Sequence, residues 1–266
     1  MTPQQHAEAA EALFQAEITG QQSGLLSLRY PGMTLDDAYA VQAALVAQKL
    51  ASGRRRIGWK IGLTSRAMQD ALKIDTPDSG VLLDDMLFET GAVVPASRFI
   101  QPRVEAEIAF IMKAPLAAAD ITRADVLMAT KCVAPALEIL DTRIQRADPA
   151  SGQVRIVTDT ISDNAANAGI VLGRERHAGQ AHDLRWTGAI VSLNGTVEET
   201  GLAAGVLNDP VTSVLWLARR MATYGQQIEA GDIVLSGSFI RPIECPPGAE
   251  ISADFGPFGS VEITFA

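Results

Sequence analysis

A chain of 266 residues with 31 acidic against 22 basic side chains has a net charge of −9, which disfavours nucleic acid or an anionic membrane as a partner. Hydrophobic residues make up 47%, enough for a full core, yet no run of about 18 apolar residues occurs that would cross a bilayer. Cys132 and Cys245 show neither metal-ligand spacing nor a disulfide framework, and the N-terminus lacks the basic and apolar blocks of a signal peptide, so a reducing cytoplasm is the expected setting.

Thr2-Pro3 predicts a helix start, with the alanine-rich stretch to about Ile18 as its body. A second helix is expected from Thr34, with Asp37 completing a near capping box, to Gly53. Its apolar face would consist of Leu35, Ala38, Val41, Leu45 and Val46. Residues 1–53 thus read as an N-terminal helical region, and residues 54–266 as the domain that carries the chemistry. His6 is expected to be solvated.

Ile57 to Ser65 reads IGWKIGLTS, a strand in which Gly58, Lys60 and Gly62 share one face, so the lysine stands between two positions without side chains. Something can approach that backbone closely, unless this is an edge strand whose lysine deters aggregation. Thr64 and Ser65 are placed to cap a short helix over Met68 to Leu72. Thr76-Pro77-Asp78-Ser79-Gly80 is a turn by composition, and short strands are expected around Val93 and Phe99.

From Arg103 the chain reads RVEAEIAFIM, then a helical interlude, then KCVAPALEILD. Val104, Ala106, Ile108, Phe110 and Met112 alternate with Glu105, Glu107, Ala109 and Ile111, predicting a buried strand with both glutamates on one face, roughly 6.6 Å apart. The second run is apolar from Val133 to Leu140 except for Glu138, and a carboxylate inside such a strand is costly to bury without a compensating partner. Surface ion pairs would suit Glu105 and Glu107 alone. Glu138 turns the reading towards a hard divalent cation, Mg²⁺ or Mn²⁺, held by all three carboxylates.

Thr158 to Gly169 is polar and without periodicity, the pattern of a surface loop, although it leads into the apolar run Ile170-Val171-Leu172. Asn194-Gly195 between Trp186–Leu193 and Thr196–Glu199 is a hairpin signal, and His177 and His182 before it read as structural or solvated. Asp209-Pro210 starts a helix that ends near Gly225. Ile233-Val234-Leu235 is a short buried strand running into Ser236-Gly237-Ser238, a turn suited to an anion near the backbone, and a last hairpin folds around Gly256 to Gly259. Helices at the start and strands thereafter predict an α+β class with a curled, mostly antiparallel sheet.

The blocks DDAYAVQ, KIGLTS, LLDDM, PRVEAEIAF, PALEILD, DTISDNAANAG, EETGLAAGVLN and GSFIRP follow one another along nearly the whole chain. In them the chain resembles the hydratases of aromatic meta-cleavage pathways, within the fumarylacetoacetate hydrolase-like superfamily. The resemblance implies an α+β fold built on a mixed β-roll with an N-terminal helical region, and homo-oligomers that include decamers. It implies a metal-dependent hydro-lyase adding water to an unsaturated 2-oxo or 2-hydroxy acid, with a seven-carbon diacid favoured. Glu105, Glu107 and Glu138 would be the metal ligands, and Lys60 and Asp78 would belong to the active site. The tyrosine that the family more often carries before the glycine of its P-D-x-G turn is Ser79 here.

Rival readings are decarboxylation of a six-carbon 2-oxo diacid, hydration of a five-carbon monoacid, and, outside catalysis, a scaffold subunit of the pathway complex. Ser238 to Arg241, with Lys60 and the glutamates retained, favours a hydratase. Lys60 is the candidate for proton transfer and Asp78 for orienting water or the lysine, with the roles exchangeable. Ser162 and Ser238 are candidate substrate contacts. Arg241 is the candidate partner of a distal carboxylate, followed by Arg143 or Lys131.

Overall fold

The computed structural model describes residues 1–66, 69, 74 and 76–266. Helix α1 (Pro3–Thr19) opens with a complete capping box between Thr2 and Gln5, and α3 (Leu35–Ala51) opens with one between Thr34 and Asp37. The short α2 (Leu26–Arg29) lies between them. Leu13, Leu25, Leu26, Val41 and Leu45 join Ile144 in a core of their own.

Two side-chain expectations fail here, for one reason: α3 packs on polar structure as well as on apolar structure. Leu35 is 42% exposed, whereas Gln42 and Lys49 turn inward. The Gln42 amide donates to the carbonyls of Ser79 and Ile161, both at 2.9 Å, and Lys49 pairs with Glu17. His6 is not simply solvated, because its Nε2 lies 2.8 Å from Asp37 Oδ1 and ties α1 to α3.

The chain then runs through β1 (Arg56–Gly62), β2 (Asp78–Leu83), β3 (Leu87–Glu89), β4 (Ala92–Val94), β5 (Arg103–Met112), α4 (Arg123–Ala129) and β6 (Thr130–Leu140). After these come α5 (Val157–Ser162), β7 (Asn167–Leu172), β8 (Gly188–Leu193), β9 (Thr196–Leu202) and α6 (Pro210–Thr223), then β10 (Ile233–Leu235), β11 (Ile243–Glu244), β12 (Ala249–Asp254) and β13 (Ser260–Phe265). Among the described residues one sheet has the order β2-β1-β10-β5-β6-β7-β3, with β11 beside β5, and a second has the order β4-β13-β12-β8-β9. Pairing is antiparallel except for β1 with β10, β3 with β7 and β4 with β13. The mixed, curled α+β architecture is the expected one.

The two faces of β5 divide the molecule. Ile108 and Phe110 pack with Leu137, with Val191, Ile251 and Val261 of the smaller sheet, and with Val214 and Leu217 of α6. The opposite face carries Ala109 in a smaller cluster with Leu82, Ala136, Ile170 and Leu235, and there the three glutamates stand. β1 lies between β2 and β10, so Lys60 is not an edge lysine.

Local expectations divide as well. The hairpin at Asn194-Gly195 forms, with Leu193 opposite Thr196. Phe99 follows a 3₁₀ turn rather than lying in a strand. The helix expected over Met68 to Leu72 lies, apart from Gln69, outside the described residues. Asp78 opens β2 opposite Gly62 instead of sitting in a turn.

The stretch from Thr158 is no surface loop. It forms α5 and a 3₁₀ turn at Asn164–Ala166, with Thr158, Asp159, Ser162, Asp163, Asn164 and Asn167 all buried. The polar side chains are there because they replace strand partners. Asn164 accepts from the Val81 N–H at 2.8 Å and donates to the Val81 carbonyl at 2.9 Å, and Asp163 pairs with buried Arg143. Asn164, Ala165 and Ala166 all have positive φ, of 53°, 54° and 59°, a strained run that these bonds hold in place. Asn164→Ala is therefore expected to cost about 2–4 kcal/mol, since it leaves both Val81 groups unpaired in the interior. A shift below about 0.5 kcal/mol in urea unfolding, the range of unremarkable surface changes, would show that this clamp does not hold the segment.

Candidate active site

Glu105 and Glu138 stand directly opposite each other in the β5–β6 register, and Glu107 lies opposite Ala136 on the same face. One carboxylate oxygen from each of the three lies within 4.8 Å of the others. Glu107 and Glu138 are fully buried. Glu107 Oε1 and Glu138 Oε2 have no hydrogen-bond partner. Glu107 Oε2 accepts from the Gly237 N–H at 2.7 Å. Only glycine suits position 237, where φ is 109° and a Cβ would lie 2.3 Å from Thr64 Oγ1.

Lys60 enters from β1. Its Nζ lies 3.3 Å from Glu138 Oε1 and donates to the Ala165 carbonyl at 3.1 Å, so the strained turn after α5 aims the lysine. The absence of a side chain at Gly62 makes room for this: a Cβ there would lie 2.3 Å from Asp78 Oδ1 and 2.9 Å from Lys60 Nζ. The approach anticipated at Gly62 is thus made by the site's own side chains, whereas at Gly58 it is the Ile233 backbone that comes close. Asp78 is buried, and its Oδ1 has no hydrogen-bond partner.

These charges shift one another. Burial, then the neighbouring Glu138, pushes Glu105 up to about 8. Burial likewise raises Glu107, reinforced by Glu138 and Glu105, and it raises Glu138 against the pull of Lys60. Asp78 is raised by burial, with Lys60 opposing. For Lys60 burial favours the neutral amine, but Glu138, Asp78, Glu105 and Glu107 outweigh it and the net shift is upward. Four carboxyl groups, three of them buried and that of Glu105 half-buried, thus face one ammonium. Hard oxygen donors, some of them unpartnered, are the ligand set of a divalent cation such as Mg²⁺.

The other candidates are not brought to this point. Ser162 is buried, but its hydroxyl donates to the Thr158 carbonyl within α5, and the Ser238 hydroxyl donates to the Ile240 carbonyl. Arg241 does not reach inward: it is 84% exposed and pairs with Glu199. The backbone makes this choice, because the turn presents Gly237 to the carboxylates and the chain has passed them by position 241. His177 is structural, with Nε2 2.9 Å from the Phe258 carbonyl and its ring stacked on Phe258.

Sequence reasoning missed Tyr39 and Arg220. Tyr39, within DDAYAVQ, accepts from the Ser79 N–H at 3.3 Å, so a tyrosine hydroxyl reaches the neighbour of Asp78 from α3 although position 79 itself is serine. Arg220 stacks on Tyr39. Helical spacing gives no sign that Tyr39 reaches β2 or that Arg220 stacks on the tyrosine.

A mixed β-roll with acidic groups gathered on one sheet face defines the class. The chain belongs to the fumarylacetoacetate hydrolase family, whose C-terminal domain model matches residues 59–266. It is similar to 2-oxo-hept-4-ene-1,7-dioate hydratase of Escherichia coli, with 48% identity over 98% of this chain and 97% of that one. It is 39% identical to 2-keto-4-pentenoate hydratase of Paraburkholderia xenovorans, over 100% of this chain and 96% of the other. Among solved structures, 4-oxalocrotonate decarboxylase of Pseudomonas putida G7, complexed with magnesium and adipate, superposes with a TM-score of 0.93 at 32% identity, covering 100% of this chain and 99% of that one.

Carboxyl groups that hold protons more tightly folded than unfolded stabilise the fold below their unfolded pKa and lose that contribution as pH rises through the folded value. For Glu105 this window runs from 4.5 to about 8. Chelator-treated protein should accordingly show a melting temperature that falls between about pH 5 and 8, and a divalent cation should restore it. A melting curve indifferent to both pH and cation across that range would contradict this account of the carboxylates.

Proposed function

We propose that the chain is a divalent-metal-dependent hydratase that adds water to an unsaturated 2-oxo diacid, 2-oxo-hept-4-ene-1,7-dioate, yielding 4-hydroxy-2-oxoheptanedioate. The observation that carries the reading is the convergence of Glu105, Glu107 and Glu138 beside buried Lys60. Its support from relatives is graded: identity is 48% to the seven-carbon diacid hydratase, 39% to a five-carbon hydratase and 32% to a decarboxylase of the family. Glu105, Glu107 and Glu138 would hold the cation, with Mg²⁺ or Mn²⁺ as our assignment. When bound, it would draw electrons from the C2 carbonyl of a 2-oxo acid.

The remaining work falls to the chain. Glu138 and the Ala165 carbonyl hold the Lys60 ammonium at fixed distances, and the surrounding carboxylates keep it protonated. Lys60 is therefore the group that moves a proton to or from the substrate. Asp78, with an oxygen left unpartnered next to the lysine, orients the attacking water. The buried floor of β5, β6 and β10 limits competing solvent.

Among the described residues no helix is long and apolar enough to cross a membrane, and a small-molecule acid is the partner this site takes. Trp186, Ile190 and Leu202 line one groove on the smaller sheet, a surface we assign to the homo-oligomer that the family resemblance implies.

Turnover of the purified chain on conjugated 2-hydroxydienoates, followed by loss of absorbance with the product identified by mass, tests the reading. Release of carbon dioxide in place of a hydrated product would replace it with decarboxylation. Glu107→Gln should weaken cation binding and abolish turnover, because a neutral amide is a poor ligand for a hard cation. Lys60→Met should leave cation binding in place and lower kcat by roughly a hundredfold or more, the scale of general acid–base catalysis. A Lys60→Met enzyme with a normal rate would return the lysine to a purely structural role.

A further inference from the structure

A hydratase for a diacid must recognise two carboxylates, and the groups described so far account for one end. If the 2-oxo acid end lies at Glu105, Glu107 and Glu138, the second carboxylate of a seven-carbon acid ends roughly 7–8 Å away when extended, given carbon–carbon bonds of about 1.5 Å. Leaving that carboxylate unpaired would weaken binding, and Asp78 close by would repel it. The arginine first favoured for this role, Arg241, points outward. Arg143 is buried and spent on Asp163 and on the Asn167 carbonyl, and Lys131 is exposed at the far end of β6.

Arg220 differs from all three. It lies near the end of α6, a helix that touches β1, the strand of Lys60. Its guanidinium carbon stands 4.1 Å from the centre of the Tyr39 ring, 5.2 Å from that of Tyr224 and 5.9 Å from that of Trp216. Stacking of this kind fixes the plane of the group and leaves its N–H edge available. Among the described residues the guanidinium has no carboxylate at ion-pair distance and makes no hydrogen bond of its own. Tyr39 in turn accepts from the Ser79 N–H, next to Asp78, so the stack is continuous with the active-site wall. Arg220 is thereby close enough to Asp78 to act on its charge, while Glu138 lies 3.3 Å from Lys60 at the carboxylate triad.

We propose that Arg220, held by the Tyr39 ring, binds the distal carboxylate of the substrate. The proposal rests on the carboxylate triad taking the 2-oxo acid end, and it concerns binding alone. A guanidinium that is already oriented loses little freedom on meeting a carboxylate and offers two parallel donors to it.

The test is calorimetric titration of the Mg²⁺-loaded protein with two acids that cannot be hydrated, 2-oxoheptanedioate and 2-oxopentanoate. The wild type should bind the diacid more tightly. Arg220→Met should weaken diacid binding by roughly ten- to a hundredfold, the worth of a hydrogen bond to a charged group, and leave the monoacid within about twofold. Arg220→Gln, which keeps a polar planar end without the charge, should give the same selective loss and decides the matter should the methionine variant fail to fold. Equal losses for both acids, no loss for either, or a wild type that does not prefer the diacid would each overturn the proposal. Because neither acid reacts, a chain that binds the diacid through Arg220 but hydrates nothing would sink the hydratase reading and leave this assignment standing.

Discussion

Mutual repulsion among Glu105, Glu107 and Glu138 is the constraint on which the rest of the structure depends. Two are wholly buried, and each costs several kcal/mol to remove from water unless something positive compensates. Lys60 supplies one charge from β1, and the Gly237 N–H offers a dipole from the turn after β10. The remaining deficit is what makes the place suited to a divalent cation, and burial raises all three carboxyl groups, with Glu138 adding to the shifts of Glu105 and Glu107. The central sheet brings β1, β10, β5 and β6 side by side, which places these four contributions on one surface.

Holding one ammonium among four carboxyl groups requires a rigid mount. The segment from α5 to β7 provides it with buried polar side chains: Asn164 clamps Val81 of β2, Asp163 holds Arg143, and the positive-φ turn of Asn164–Ala166 directs the Ala165 carbonyl at Lys60. Gln42 ties α3 to the same region through Ser79 and Ile161. The N-terminal helices are therefore connected to the site by hydrogen bonds as well as by apolar contact. Tyr39 extends that connection to the neighbour of Asp78.

The chemistry of the site is uneven in kind. It combines the hard oxygens of three glutamates, the Lys60 ammonium close to Asp78, and an arginine stacked on the Tyr39 ring. With Arg220 binding as proposed, a substrate with a chelating 2-oxo acid at one end and a second carboxylate at the other would engage all of these groups, whereas a monoacid would leave the arginine unused. Charge placement along the site is thus a basis for choosing among acids that share the same reacting end.

The sequence by itself determined the strands that carry the metal-type carboxylates, because a period of two within apolar runs leaves a glutamate no choice of face, and Glu138 alone in such a run demanded a partner. It determined the capped helices at Thr2 and Thr34 and the hairpin at Asn194-Gly195, since those signals act within a few residues. It did not show that Thr158 to Asn167 would be buried, because polar side chains that satisfy distant backbone groups look like a loop until those groups are known. Only the tertiary structure decided that Asp78 opens a strand against Gly62, that Arg241 turns outward to Glu199, and that Tyr39 and Arg220 from separate helices meet beside Ser79. Those outcomes depend on which elements pack together over long sequence separations, and local pattern carries no information about that.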